Sequence, residues 1–154
     1  MSERIRQPKT LRHLERLKQL VRGEIPPPPI AELLGFHLVE IELGRSTIRL
    51  EASKRHANPM GTLHGGVISD VADAALGLAM VTTVEEDESF TTLDLTAKYF
   101  KPIWNARLSF DARVTKRTRA LGLIECDVTD ETGSLVARAY STCMVLRGEE
   151  AKGR

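Results

Sequence analysis

Residues 65–84 constrain this chain more than any other stretch. Ala72, Ala74, Ala75, Gly77 and Ala79 stand there among Val67, Ile68, Val71, Leu76, Leu78 and Met80. A helix that is apolar around most of its circumference has to be buried, and its small residues let other elements come close. The flanking segments indicate what buries it. Phe36–Glu42 and Ser46–Ala52 alternate apolar and polar residues about Gly44, which predicts a hairpin. After the acidic connection Val84–Glu88, four strands are expected at 90–100, 108–116, 121–129 and 135–146, with a turn at Asp130–Gly133. Strands in runs, rather than alternating with helices, argue for an α+β domain with an antiparallel sheet. About six strands would curl around one long central helix. The sheet covers one side of that helix, and a second subunit could cover another.

Composition narrows the function. The chain has 154 residues, 42% hydrophobic and 28% charged, as in an ordinary one-domain globular protein. Twenty-two Lys and Arg against 21 Asp and Glu leave a net charge of +1, so no charge excess points to nucleic acid. Cys126 and Cys143 are the only cysteines. They form neither a metal-ligand spacing nor a disulfide framework, and are read as inert strand residues in a reducing, cytoplasmic setting. No apolar run is long enough to span a bilayer. No apolar segment follows Met1–Arg6, so no secretory signal is read there, and Glu3, Glu15 and Glu24 argue against a transit peptide.

Three segments are expected. Residues 1–30 form a basic helix at 8–22, a solvated face packed on the domain, followed by a proline-rich spacer through Pro26–Pro29. Residues 31–148 form the domain, beginning with a short helical turn ended by Gly35, and 149–154 a disordered tail. His13, His37 and His56 are read as surface or structural residues, and Trp104 as packing.

The chemistry is concentrated in Asn58-Pro59-Met60-Gly61-Thr62-Leu63-His64-Gly65-Gly66 and the helix it opens. Two glycines at a helix start leave its first N–H groups uncovered, a geometry that attracts negative charge and suits an oxyanion. They equally permit a tight turn or close packing. Asp73 lies two to three turns further on among apolar residues, where a buried carboxylate is costly unless a pocket solvates or pairs it. Asp70 stands one turn earlier, either at a solvated helix edge or facing the same place, where like charge would raise the pKa of Asp73. No G-x-S-x-G elbow and no phosphate loop is present.

The pattern Asn-Pro-x-Gly-x-x-His-Gly-Gly, with Asp nine residues after the His, resembles the hotdog-fold acyl-CoA thioesterases, nearest the phenylacetate-pathway type and related to the 4-hydroxybenzoyl-CoA thioesterases. The resemblance spans roughly residues 33–147 and includes Asp94 and Tyr99-Phe100-Lys101-Pro102. It implies hydrolysis of an acyl-CoA to free acid and CoA. The Gly65 N–H would be the oxyanion donor. Asp73, from the partner subunit, would be general base or nucleophile. Asn58 would place the thioester or water, His64 would hold the turn or bond near the carbonyl, and Thr92 would orient the water. Lys116, Arg117 and Arg119 would either contact CoA phosphates at the rim or simply form a solvated strand end. No metal or cofactor is expected beyond the CoA of the substrate, and no nucleic-acid or membrane partner; the protein would be a homodimer or a dimer of dimers. Asp70 departs from the small neutral residue usual there. Gly77 replaces the hydroxyl residue of a neighbouring branch that uses Glu. The alternatives are a non-catalytic acyl-CoA-binding module and a hotdog dehydratase.

Overall fold

In the computed structural model, Pro8 and residues 11–153 are described. Parts of the expected basic segment (1–7 and 9–10) and the last tail residue lie outside them. The first helix, α1, runs Arg12–Val21, later than its expected start. Its buried Leu14 seats it, and it packs on the first strand. Pro29 does not belong to the extended spacer but opens α2, Pro29–Leu34. Proline is tolerated at a helix start because the N–H it lacks has no helical partner there. Gly35 ends α2 in the left-handed region at φ 78°.

The strands are β1 (Phe36–Glu42), β2 (Arg45–Ala52), β3 (Glu88–Tyr99), β4 (Ala106–Arg117), β5 (Leu121–Thr129) and β6 (Leu135–Arg147). They form one six-stranded antiparallel sheet in the order β1-β2-β4-β5-β6-β3. The long helix, α3, runs Gly65–Val81 and touches all six strands, which requires the sheet to curl around it. Ala72, Ala75 and Ala79, spaced by three and four, are fully buried and let α3 lie close against Ile48, Leu50, Leu108 and Phe110. The α+β fold expected from the pattern is therefore the one found.

Local polar chemistry explains where the boundaries differ. α3 stops at Val81 because the hydroxyls of Thr82 and Thr83 donate to the carbonyls of Ala79 and Met80, each at 2.7 Å. The Gly44 N–H in turn donates to Thr82 Oγ1. β3 begins at Glu88, whose buried carboxylate pairs with Arg117 and Arg147 and therefore belongs to the fold rather than to the acidic connection. The tail expected to be disordered opens with a 3-10 turn, Gly148–Ala151. Trp104, expected to pack, is exposed. Cys126 and Cys143 are buried free thiols, and burial pushes both pKa values up. Among the described residues no helix is long and apolar enough to cross a membrane.

Candidate functional site

The Asn58–Gly66 segment forms a braced approach to α3. Asn58 Oδ1 accepts from the N–H groups of Met60 and Thr62, and Nδ2 donates to Thr62 Oγ1 at 2.8 Å. Its side chain thus holds the turn in which Gly61 takes φ 86°. An amide carries two N–H donors, so one remains beyond that bond. His56 ties the segment to α2: the Ser53 N–H donates to Nδ1, and Nε2 lies 2.9 Å from the Leu34 carbonyl. The His64 N–H donates to the His56 carbonyl.

His64 is the N-cap of α3. Its Nδ1 accepts the Gly66 N–H at 2.8 Å, and its carbonyl takes the N–H groups of Val67 and Ile68. That leaves the Gly65 N–H without an acceptor among the described residues. Tyr99, on β3, grips the same residue from the other side. Ser69 Oγ lies 2.6 Å from the Tyr99 hydroxyl, which donates to the Gly65 carbonyl at 3.1 Å. A β-carbon at Gly65 would stand 3.3 Å from the Tyr99 ring, so a bare residue suits the contact. An unpaired N–H on the first turn of a helix, aided by the helix dipole, is suited to a developing negative charge.

Asp73 occupies a different place. Taken alone, the chain leaves its residue surface exposed rather than enclosed in the core. It stands instead at an apolar cavity of about 510 Å³. With Ala74, Gly77, Leu78 and Val81 it forms the α3 side of that cavity, one face at i, i+1, i+4, i+5 and i+8. Phe90 and Thr92 of β3 form a second side, and His13, Arg16 and Leu17 of α1 a third. Thr92 Oγ1 donates to Asp73 Oδ1 at 3.5 Å, a long contact. Partial burial raises the Asp73 pKa, the Thr92 hydrogen bond lowers it, and the negative charge of Asp70 raises it again; the net direction is upward. Asp70 itself is exposed.

A β-bulge brings Thr92 to this position. Thr92 pairs with Cys143 and Asp94 with Thr142, so Leu93 is the extra residue. Asp94 Oδ1 accepts the Thr142 N–H at 3.0 Å, which compensates for the disturbed ladder.

One chain unites Asp73 with Thr92, and Asn58 and His64 with Gly65, but it does not unite the two groups. Gly65 and Asp73 line separate cavities. Eight residues of α-helix separate them by about 12 Å along the axis and about 80° around it. Of the three basic candidates, Arg117 is buried and paired with Glu88 at 3.1 Å, so its guanidinium is not offered to an incoming phosphate. Arg119 is exposed and Lys116 half-buried. Among the described residues no three His, Cys, Asp or Glu side chains cluster as metal ligands.

Two contributions were not legible beforehand. Tyr99 carries no hint of its grip on Gly65, because residues 34 apart in sequence share no local pattern. The α1 residues read as an ordinary amphipathic face, and nothing in their spacing placed them beside Asp73.

Comparison with known proteins bears on the family and the fold. Residues 60–137 match the model of the family described as "Thioesterase superfamily". The 1,4-dihydroxy-2-naphthoyl-CoA hydrolase of Listeria monocytogenes is 26% identical over 77% of this chain and 96% of its own. Acyl-coenzyme A thioesterase 13 of Homo sapiens is 26% identical over 82% of this chain and 91% of its own. A solved mutant of the phenylacetic acid degradation protein PaaI from Thermus thermophilus superposes with a TM-score of 0.71, at 28% identity, over 76% of this chain and 98% of that one. With its six-stranded antiparallel sheet closed on one central helix and its family match over half its length, this chain belongs to the thioesterase superfamily as a hotdog-fold thioester hydrolase.

Proposed function

We propose that the protein hydrolyses an acyl-CoA thioester to the free acid and CoA, in a site completed by a second copy of the chain. The observation that carries this reading is the division of labour along α3: an unpaired N–H at Gly65 and a carboxylate at Asp73, too far apart to meet in one chain. A twofold arrangement sets the Gly65 end of one copy against the Asp73 cavity of the other. The sheet edge supports it. β3 is a 12-residue edge strand, and exposed Leu93, Tyr99 and Phe100 lie along and beside it; a long apolar edge of this kind invites pairing.

In this site the Gly65 N–H polarises the thioester carbonyl, and Asn58 and His64 hold the loop that presents it. Asp73, oriented by Thr92, takes a proton from the attacking water or attacks the carbonyl itself; either role requires the ionised carboxylate. As base, Asp73 returns that proton to the leaving sulfur as the C–S bond breaks, which gives the acid and CoA thiol. As nucleophile, it forms an acyl anhydride as the C–S bond breaks, and the thiolate leaves to be protonated by water. A second step with water then hydrolyses the anhydride to the acid and restores the carboxylate. A thioester carbonyl is electrophilic enough for one carboxylate and one donor, so the proposed reaction uses water and no resident cofactor. Arg119 and Lys116 remain the proposed rim contacts for CoA phosphate.

A thiol-release assay over aromatic and short-, medium- and long-chain acyl-CoAs tests the reading. Release of free thiol matched by free acid supports it; no release from any member removes it. Thr92→Val gives a finer check. Loss of the hydrogen bond that lowers the Asp73 pKa moves the acid limb of the kcat–pH profile to higher pH. Asp70→Asn moves the limb the opposite way, by less as salt is added. A limb unmoved by both would detach Asp73 from the rate.

A further inference from the structure

Resting on the acyl-CoA reading above, we propose that α1 is the wall that selects the acyl group, with Leu17 setting the depth of the chamber and Gly77 its width. The chamber of about 510 Å³ has the size of a small-molecule site and runs from Asp73 to α1. Its continuity with Asp73 identifies the occupant. A thioester carbonyl brought to that carboxylate leaves its acyl tail the apolar space beyond.

α1 is held where it can act as a wall. Leu14 is buried as its anchor, and Leu17, three residues on along the same face, lines the chamber. On the opposite side Gly77 is not demanded by packing: an added β-carbon would meet only the Phe90 ring, at 3.7 Å and beyond, an ordinary contact. The missing side chain leaves room between α3 and α1. The α1 side of the wall lies outside the part of the chain that matches the superfamily, residues 60–137, whereas Gly77 lies within it. Acyl selection is thereby shared between the N-terminal segment, through Leu17, and the matched segment, through Gly77.

The test compares the full-length protein with Leu17→Trp, Leu17→Ala and Gly77→Ala over an acyl-CoA ladder from acetyl to long-chain and aromatic groups. Leu17→Trp is expected to lower kcat/KM by about tenfold or more for the bulkiest good substrates, mainly through KM, with acetyl-CoA within about threefold. Gly77→Ala shifts the profile the same way without lowering the melting temperature, since alanine favours a helix interior over glycine. Leu17→Ala shifts it toward longer groups. A uniform fall across the ladder, or an unchanged profile, overturns the proposal. Calorimetric binding of non-hydrolysable S-alkyl-CoA thioethers of graded length separates this outcome from failure of the hydrolysis reading. If no acyl-CoA is cleaved, hydrolysis falls. The order of thioether affinities in the same variants then decides the wall: a length-dependent change supports it, and an unchanged order overturns it.

Discussion

Replacing Asp73 with Asn lowers kcat on the best acyl-CoA substrate by about 10²- to 10⁴-fold, the range set by removing a positioned acid–base group, and leaves KM within a few-fold. Asn fills the same volume and still bonds to the Thr92 hydroxyl, but it neither accepts a proton nor attacks a carbonyl. The same variant carries a stability signature. The Asp73 pKa is raised in the folded chain, chiefly by partial burial and also by Asp70. Linkage then makes the ionised carboxylate unfavourable to the fold. The contribution of Asp73 to stability is fully present below its unfolded pKa and is lost as pH rises through the folded one. Asp73→Asn has no such decline, so it melts above the wild type at neutral pH, and the gap closes as the solution is acidified below the carboxylate range. Paired kcat and melting measurements at neutral and acid pH check both parts. Full activity in the variant would remove Asp73 from the reaction.

Gly65→Pro and Gly65→Ala together isolate a single N–H. Both add a β-carbon 3.3 Å from the Tyr99 ring, so both ask the same small shift of Tyr99. Only proline deletes the donor. The backbone tolerates it: Gly65 is the first residue of α3, where proline is favoured. His64, at φ −64° and ψ 129°, already has the extended conformation required before proline. Loss of one oxyanion donor costs about 10²- to 10³-fold in kcat, so the proline variant should fall below the alanine variant by that factor with similar melting temperatures. Equal activity in the two would show that the Gly65 N–H stabilises no charge in the transition state.

The elements were legible in the residues because each follows from local periodicity. The small and apolar run at 65–84 stands out as a central helix, and the alternation at 36–42, 121–129 and 135–146 as strands. The proposed catalytic segment was visible as a pattern too, since Asn58, His64, Gly65 and the Asp73 spacing lie close together in the chain. Side-chain capping set the boundaries that were missed: the Thr82 and Thr83 hydroxyls close α3, and a buried ion pair draws Glu88 into β3. Arg117 illustrates a further limit. Its charge looked available beside Lys116 and Arg119, yet Glu88, 29 residues away, already holds it.

Local order in the chain is thus enough to specify one central helix, six strands and the residue types of the proposed thioester site, because each depends on neighbours within a turn or a strand. Packing decided the rest. It turned Thr92 to Asp73 through the bulge at Leu93, set Tyr99 against Gly65, placed α1 over the cavity and kept Gly65 and Asp73 apart on one helix. Contacts between residues tens of positions apart leave no period in the sequence; they appear only when the sheet has closed around α3.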